Sequence, residues 1–212
     1  MNSKKKSSRI FERIFFAPCK FRITFDFSMQ KRLVLSSKRF EITIKRLCYQ
    51  LIENHNDFSE SALIGLQPRG IYVARRIQHE LMAILHKDTI LCGDLDITFF
   101  RDDYRRREMV IPSTTQVDFI IENKKVILVD DVLFTGRTIR AGMDALTAFG
   151  RPEKVELLAL VDRRYSRHLP IEPDYIGIAV DTIASEKVIV DWKEIDGEDS
   201  IWLITPGKEN AE

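Results

Sequence analysis

Four aliphatic residues in a row, Val126-Ile127-Leu128-Val129, run straight into two carboxylates, Asp130 and Asp131, then through Val132-Leu133-Phe134 to the turn Thr135-Gly136-Arg137-Thr138. An uninterrupted apolar run reads as a strand buried on both faces, which requires a sheet with helices on either side. After the turn, Ile139, Met143 and Leu146 predict the inner face of a helix that begins at Thr138. A strand, a small-residue turn and a helix start make an anion site, because the first helical N–H groups point outward where the dipole is positive. Thr135 and Thr138 add hydroxyl donors, Gly136 lets a ligand approach the backbone, and Arg137 adds charge. A site for phosphate alone would gain nothing from two carboxylates beside it. They make sense if the ligand also carries hydroxyl groups or a divalent metal, and a ribose 5′-phosphate fits both needs.

The rest of the chain keeps the same rhythm. Residues 38–53 predict a helix with Ile44, Leu47 and Leu51 on one face and Ser36 or Ser37 as its cap. Residues 62–66 predict a short strand, and 71–86 an amphipathic helix with Ala74, Ile77, Leu81 and Leu85 inward. Residues 90–100 read as extended, 101–115 as a charged loop, and 117–121, 125–129 and 155–161 as strands; Gly150 and Pro152 stop the intervening helix. This order predicts an α/β fold, a mostly parallel central sheet with helices on both faces. Ligands of such sheets bind at the carboxyl ends of the strands, where residues 67–70, 100–103, 130–138 and 162–164 all fall.

Composition sets limits. With 44% hydrophobic and 31% charged residues and a net charge of +1, the 212-residue chain reads as an ordinary globule with no global field to select nucleic acid or anionic membrane. Cys19, Cys48 and Cys92 are odd in number and form no CxxC pair, which argues against a disulfide framework and for a reducing cytoplasm. Residues 1–28 stand apart as a basic, aromatic-rich extension, expected to pack poorly on a domain of residues 29–212 that opens at Met29. Glu12, Arg13, Lys20 and Arg22 break any signal-peptide core, and nothing here supplies the about 20 apolar residues of a membrane span.

Residues 126–138 resemble the phosphoribosyl pyrophosphate (PRPP) loop of the type I phosphoribosyltransferases. The resemblance implies that Asp130 and Asp131 serve the ribose and a Mg²⁺ ion as the catalytic carboxylates. It assigns the turn Val132-Leu133-Phe134-Thr135-Gly136-Arg137-Thr138 to PRPP, with Thr135 to Thr138 on the 5′-phosphate, and the pyrophosphate to Arg69, Gly70 and Arg101. Gln67 stands where a basic residue is expected. Asp96 to Tyr104, followed by Arg105-Arg106-Arg107, resembles the loop that closes over the site in this family. Purine enzymes of the family carry a carboxylate just before the Thr-Gly pair, where this chain has Phe134. Further stretches, Leu160-Val161-Asp162-Arg163, Leu169-Pro170-Ile171, Pro173-Asp174-Tyr175-Ile176-Gly177 and Ser185-Glu186-Lys187-Val188, are similar to the bifunctional pyrimidine-operon regulator and uracil phosphoribosyltransferase (PyrR) family. Arg164-Tyr165-Ser166-Arg167-His168 departs from the shorter Gly-His form of that family.

The PyrR resemblance implies a small base-binding hood, with Arg163 and the backbone near Val188 lining a uracil pocket, and a homodimer or larger assembly. It also implies binding of pyrimidine-operon leader RNA in response to UMP. A basic face of the first helix, with Lys45 and Arg46, would meet the RNA phosphates. Ile42 and Asn54 fall where arginines are expected. Two other readings stand beside this one: an RNA-binding regulator with residual catalysis, and a hypoxanthine-guanine phosphoribosyltransferase, favoured by Pro173-Asp174-Tyr175 and opposed by Phe134.

Overall fold

The computed structural model describes residues 30–102 and 112–206. The N-terminal extension, and Asp103, Tyr104 and Arg105-Arg106-Arg107 of the charged loop, lie outside the described residues. In chain order the elements are β1 (Gln30–Leu35), α1 (Ser37–His55), β2 (Ser61–Leu66), α2 (Gly70–Leu85), β3 (Cys92–Leu95), β4 (Lys125–Leu133), α3 (Arg137–Leu146), β5 (Lys154–Arg164), β6 (Tyr175–Asp181), β7 (Lys187–Asp191), α4 (Lys193–Asp196) and β8 (Ser200–Thr205). Five strands form a parallel sheet in the order β3-β2-β4-β5-β6, and β1-β8-β7 form a separate antiparallel sheet.

The predicted α/β architecture is present, and its burial follows the sequence pattern. One core joins Phe40, Ile44, Leu47 and Leu51 of α1 and Val73, Ala74, Ile77 and Leu81 of α2 to one face of the sheet. A second joins Ile139, Ala145 and Leu146 of α3 to the other face. The small sheet is the expected hood. Its Val190 and Ile201, with Trp192, belong to the first core, so the hood is rooted in the same apolar mass as α1 and α2.

Three local expectations are corrected. Met143 is 48% exposed, because α3 turns its small residues to the sheet instead. A Cβ at Gly142 would stand 2.9 Å from Leu66 Cδ2, an approach that only a glycine face allows. Residues 117–121 alternate in burial as a strand would, yet pair with no named strand; an antiparallel bridge joins Asp94 to Gln116 nearby. Residues 90–100 are not extended throughout. Asp96 Oδ1 accepts from Thr98 N (2.9 Å) and Thr98 Oγ1 (2.5 Å), which winds Thr98–Phe100 into a 3-10 turn.

Candidate active site

Strand β4 outlasts its neighbour β2 and carries Asp130 and Asp131 to the carboxyl end of the sheet. Asp130 is 6% exposed. Its Oδ1 accepts from Asp131 N (3.0 Å), and Asp131 Oδ1 accepts from Val132 N (2.9 Å), so each carboxylate is oriented by the next peptide. Burial, then the Asp131 charge, push Asp130 well above the ordinary carboxylate range, and burial raises Asp131 as well. Arg101 pulls Asp130 the other way and Arg69 pulls Asp131, which places both guanidinium groups within electrostatic reach of the pair.

The turn beyond them has the form expected of an anion site. Gly136 sits at φ 88°, a left-handed conformation that glycine adopts without strain, and α3 begins at the next residue. Among the described residues no side chain caps this helix start. Thr135 Oγ1 lies 3.5 Å from Arg137 N, and Arg101 Nη1 lies 3.5 Å from Thr138 Oγ1. Leu133 is buried in the second core, so only its main chain can meet a ligand, whereas Val132 is half-buried against the first core. Asp102 pairs with Arg137 (3.0 Å) and Arg140 (3.5 Å), bringing the start of the charged loop against α3.

Arg69 ends the turn between β2 and α2, and its Nη1 donates to Val190 O (3.0 Å) of the hood. Gly70 permits a close approach, but of another kind than expected. A Cβ there would lie 2.3 Å from Val129 O, so the bare Cα lets the start of α2 press on the backbone just before Asp130. Gln67 Nε2 donates to Thr114 O (2.8 Å) and ties this turn to the far stem of the charged loop.

At the other end of the site, Arg163 is buried at the end of β5. Its Nε donates to Thr182 Oγ1 (3.1 Å) and its Nη2 to Glu186 O (2.9 Å). The guanidinium covers the Phe134 ring at 3.9 Å from the centroid. Burial lowers the Arg163 pKa, yet an arginine keeps its charge. Val188 stands half-buried on β7, two residues before the Val190 carbonyl that receives Arg69. The residues expected to serve ribose, phosphate, pyrophosphate and base therefore lie near one another, beyond the carboxyl ends of the strands and against the hood.

Lys45 and Arg46 stand apart on α1. Lys45 pairs with Glu41 (2.9 Å), and Arg46 donates to Gln50 (3.1 Å) and to the carbonyls of Ile176 (3.0 Å) and Gly177 (2.5 Å). Arg167, Thr182 and Glu186 had no assigned role from sequence. Arg167 proves the most connected: its guanidinium meets the Leu133, Phe134, Arg163 and Ile171 carbonyls and the Asp162 carboxylate. Nothing in its sequence neighbourhood, a run of cations around Tyr165, singles it out.

Among the described residues no three His, Cys, Asp or Glu side chains converge on a metal position. Two adjacent carboxylates fit an ion whose remaining ligands are oxygens from substrate and water, the habit of Mg²⁺. Among the described residues no helix is long and apolar enough to cross a membrane.

Residues 33–194 match the model of the phosphoribosyl transferase domain family. The chain is 45% identical over 180 residues to the "Bifunctional protein PyrR" of Desulfosudis oleivorans, covering 84% of this chain and 99% of that protein. It is 42% identical over 181 residues to the "Bifunctional protein pyrR" of Enterococcus faecalis, covering 85% and 100%. Among solved structures, the hypoxanthine phosphoribosyltransferase of Trypanosoma cruzi in complex with the product IMP has a TM-score of 0.65 at 16% identity, covering 86% of this chain and 97% of that one. A hypoxanthine-guanine phosphoribosyltransferase of Bacillus anthracis has a TM-score of 0.58 at 16% identity, covering 84% and 99%. At such identities the structural likeness is one of fold.

Proposed function

The chain belongs to the phosphoribosyl transferase domain family and, within it, to the PyrR proteins, and from there we propose that it joins uracil to the phosphoribosyl group of PRPP, releasing UMP and pyrophosphate. The observation that carries the choice of base is the Arg163 guanidinium lying on Phe134, with no carboxylate at position 134 to trade a proton with a purine nitrogen. Uracil needs less help, because its ring N–H is the more acidic.

In this reading Thr135 to Thr138, at the end of the turn that begins at Val132, hold the 5′-phosphate, and Arg69 and Arg101 hold the pyrophosphate. The C1′–O bond to pyrophosphate breaks, the C1′–N1 bond to uracil forms, and the N1 proton departs. Positive charge develops at the ribose on the way, and Asp130 and Asp131 stabilise it most in the transition state. Asp130 and Asp131 would also hold a Mg²⁺ ion, whose charge would offset the negative charge that develops on the leaving pyrophosphate. Nε and Nη2 of Arg163 are engaged by Thr182 and Glu186, so Nη1 is the donor for a uracil carbonyl, and the backbone near Val188 borders the ring. A closed loop over the site would keep water from capturing the oxocarbenium-like state.

The test is competition: uracil, hypoxanthine and guanine at equal concentration, with PRPP and Mg²⁺, and identification of the nucleotide formed. A missing proton-transfer group should slow the purines by about 10²–10⁴-fold, so UMP is the expected product. Consumption of hypoxanthine or guanine first would sink the pyrimidine reading.

A second activity, UMP-responsive binding of pyrimidine-operon leader RNA, is supported by the word "bifunctional" that the relatives share and by the half-exposed Lys45 side chain, whose ammonium pairs with the exposed Glu41. Replacing Lys45 by Gln should weaken hairpin binding and lower its salt dependence by about one phosphate contact, leaving uracil turnover intact. If the unaltered protein with UMP holds the hairpin no better than random RNA, the regulatory activity is absent.

A further inference from the structure

We propose that Arg167 is a positioning residue that fixes the 5′-phosphate turn and ties it to the base pocket, so that both ends of the site depend on one side chain. The inference rests on the phosphoribosyl reading above and adds to it a residue that none of the motifs contains. Arg167 Nη1 donates to Leu133 O (3.1 Å), Phe134 O (2.5 Å) and Arg163 O (3.1 Å), and Nε donates to Ile171 O (3.1 Å). Nη2 binds the Asp162 carboxylate, which is only 7% exposed and needs such a partner. The next carbonyl of the turn, Thr135 O, accepts from His168 N (3.0 Å) and Leu169 N (3.2 Å). Three successive carbonyls of the phosphate turn are therefore held by residues 167–169.

That arrangement has an electrostatic consequence. Carbonyl oxygens repel a phosphate and peptide N–H groups attract it. Drawing the carbonyls of 133 and 134 to the cationic strut of Arg167, and that of 135 to the His168 and Leu169 N–H groups, leaves the N–H edges of the turn free to face the anion. The same segment buttresses Gly136: Leu169 and Ile171 lie 3.2–3.5 Å from where a Cβ would stand. At its other end the strut grips Asp162 and the Arg163 carbonyl, and Arg163 carries the base pocket on the face of Phe134. A displacement of the turn by phosphate thus reaches Arg163 through a planar fork that binds both.

A side chain that merely neutralised Asp162 would be replaceable by any cation, which gives the test. Ribose 5-phosphate is titrated calorimetrically into the full-length protein, with and without uracil, for the unaltered chain, Arg167→Lys and Arg167→Gln. Steady-state KM for PRPP, kcat and the thermal midpoint accompany each titration. The expected result is ribose 5-phosphate binding roughly tenfold weaker in Arg167→Gln. The effect of uracil on that binding should shrink toward none, and KM for PRPP should rise more than kcat falls. Arg167→Lys should be intermediate, since an ammonium keeps the charge but cannot bridge the carbonyls. Unchanged ribose 5-phosphate affinity in Arg167→Gln, or complete restoration by Lys, overturns the proposal. Should the Gln variant not fold, the Lys variant decides by the same criterion. If the unaltered chain binds no ribose 5-phosphate, the phosphoribosyl reading itself fails and takes this one with it.

Discussion

Asp130 is held where a carboxylate is least at ease, walled in by apolar strands and set beside a second acid. Its raised pKa has a calculable sign. A carboxyl that binds its proton more tightly folded than unfolded lends stability at low pH, and that contribution is lost as pH rises from the ordinary carboxylate range through the raised value. Asp130→Asn, equal in shape but uncharged, should therefore raise the thermal midpoint relative to the unaltered protein at pH 8, by a margin that narrows toward pH 5. Turnover should fall at least about 10²-fold, because the lost charge acts on the transition state. Thermal melts across pH and initial rates on one preparation check both, and a variant no more stable at pH 8 than the unaltered protein contradicts the burial argument. Asp130, Asp131, Thr135 and Thr138 were legible in sequence because chemistry that sits in one short segment shows itself as a motif. Arg167 was not, since all but one of its acceptors are main-chain carbonyls, and any residue type supplies those.

Segments with a single dominant periodicity, α1 and α2 among them, were foreseen nearly to their ends, whereas β4 runs on from the expected end at 129 to Leu133. Where a second force intervenes, the pattern misled: Leu66 crowding Gly142 rotated α3, and Asp96 diverted the chain after β3 into a turn. One junction between elements carries a prediction. His55 ends α1 and meets Ser61 Oγ (2.9 Å), Glu156 Oε2 (2.9 Å) and Tyr175 OH (3.1 Å), while Tyr175 donates to Glu156 (2.8 Å) and accepts from Asn54 (3.0 Å). Tyr175→Phe removes a buried hydroxyl from this group and should cost about 1–3 kcal/mol in denaturant titration, with the KM for PRPP unchanged. Burial holds His55 below its ordinary pKa, so its contribution is intact above the usual histidine range and is lost as pH falls through it. Between pH 7 and pH 5 the unaltered protein should lose more stability than His55→Gln does; an equal loss in both would show the histidine plays no part.

At the scale of the molecule, the hood is built from both ends of the described chain, β1 before the first helix and β7 and β8 after the last parallel strand. No window of sequence holds that sheet, so its existence could be inferred only through the family and its pairing not at all. Trp192 and Trp202, the two tryptophans of the chain, both lie in or beside it, and Trp192 is wholly buried against Tyr72 and Phe40. Because hood and helices share one core, tryptophan fluorescence and far-UV circular dichroism should report a single coincident unfolding transition. An earlier fluorescence transition would mean the hood melts on its own. The parallel sheet has a different exposure at β6, whose outer side pairs with no strand among the described residues and offers hydrogen-bonding groups to any extended peptide that drifts by. Arg46 reaches from α1 to the Ile176 and Gly177 carbonyls there and occupies them. Removing it invites strand-to-strand self-association in a concentrated solution, so turbidity would masquerade as lost affinity in any assay of that arginine, a confusion that Lys45 next to it does not share.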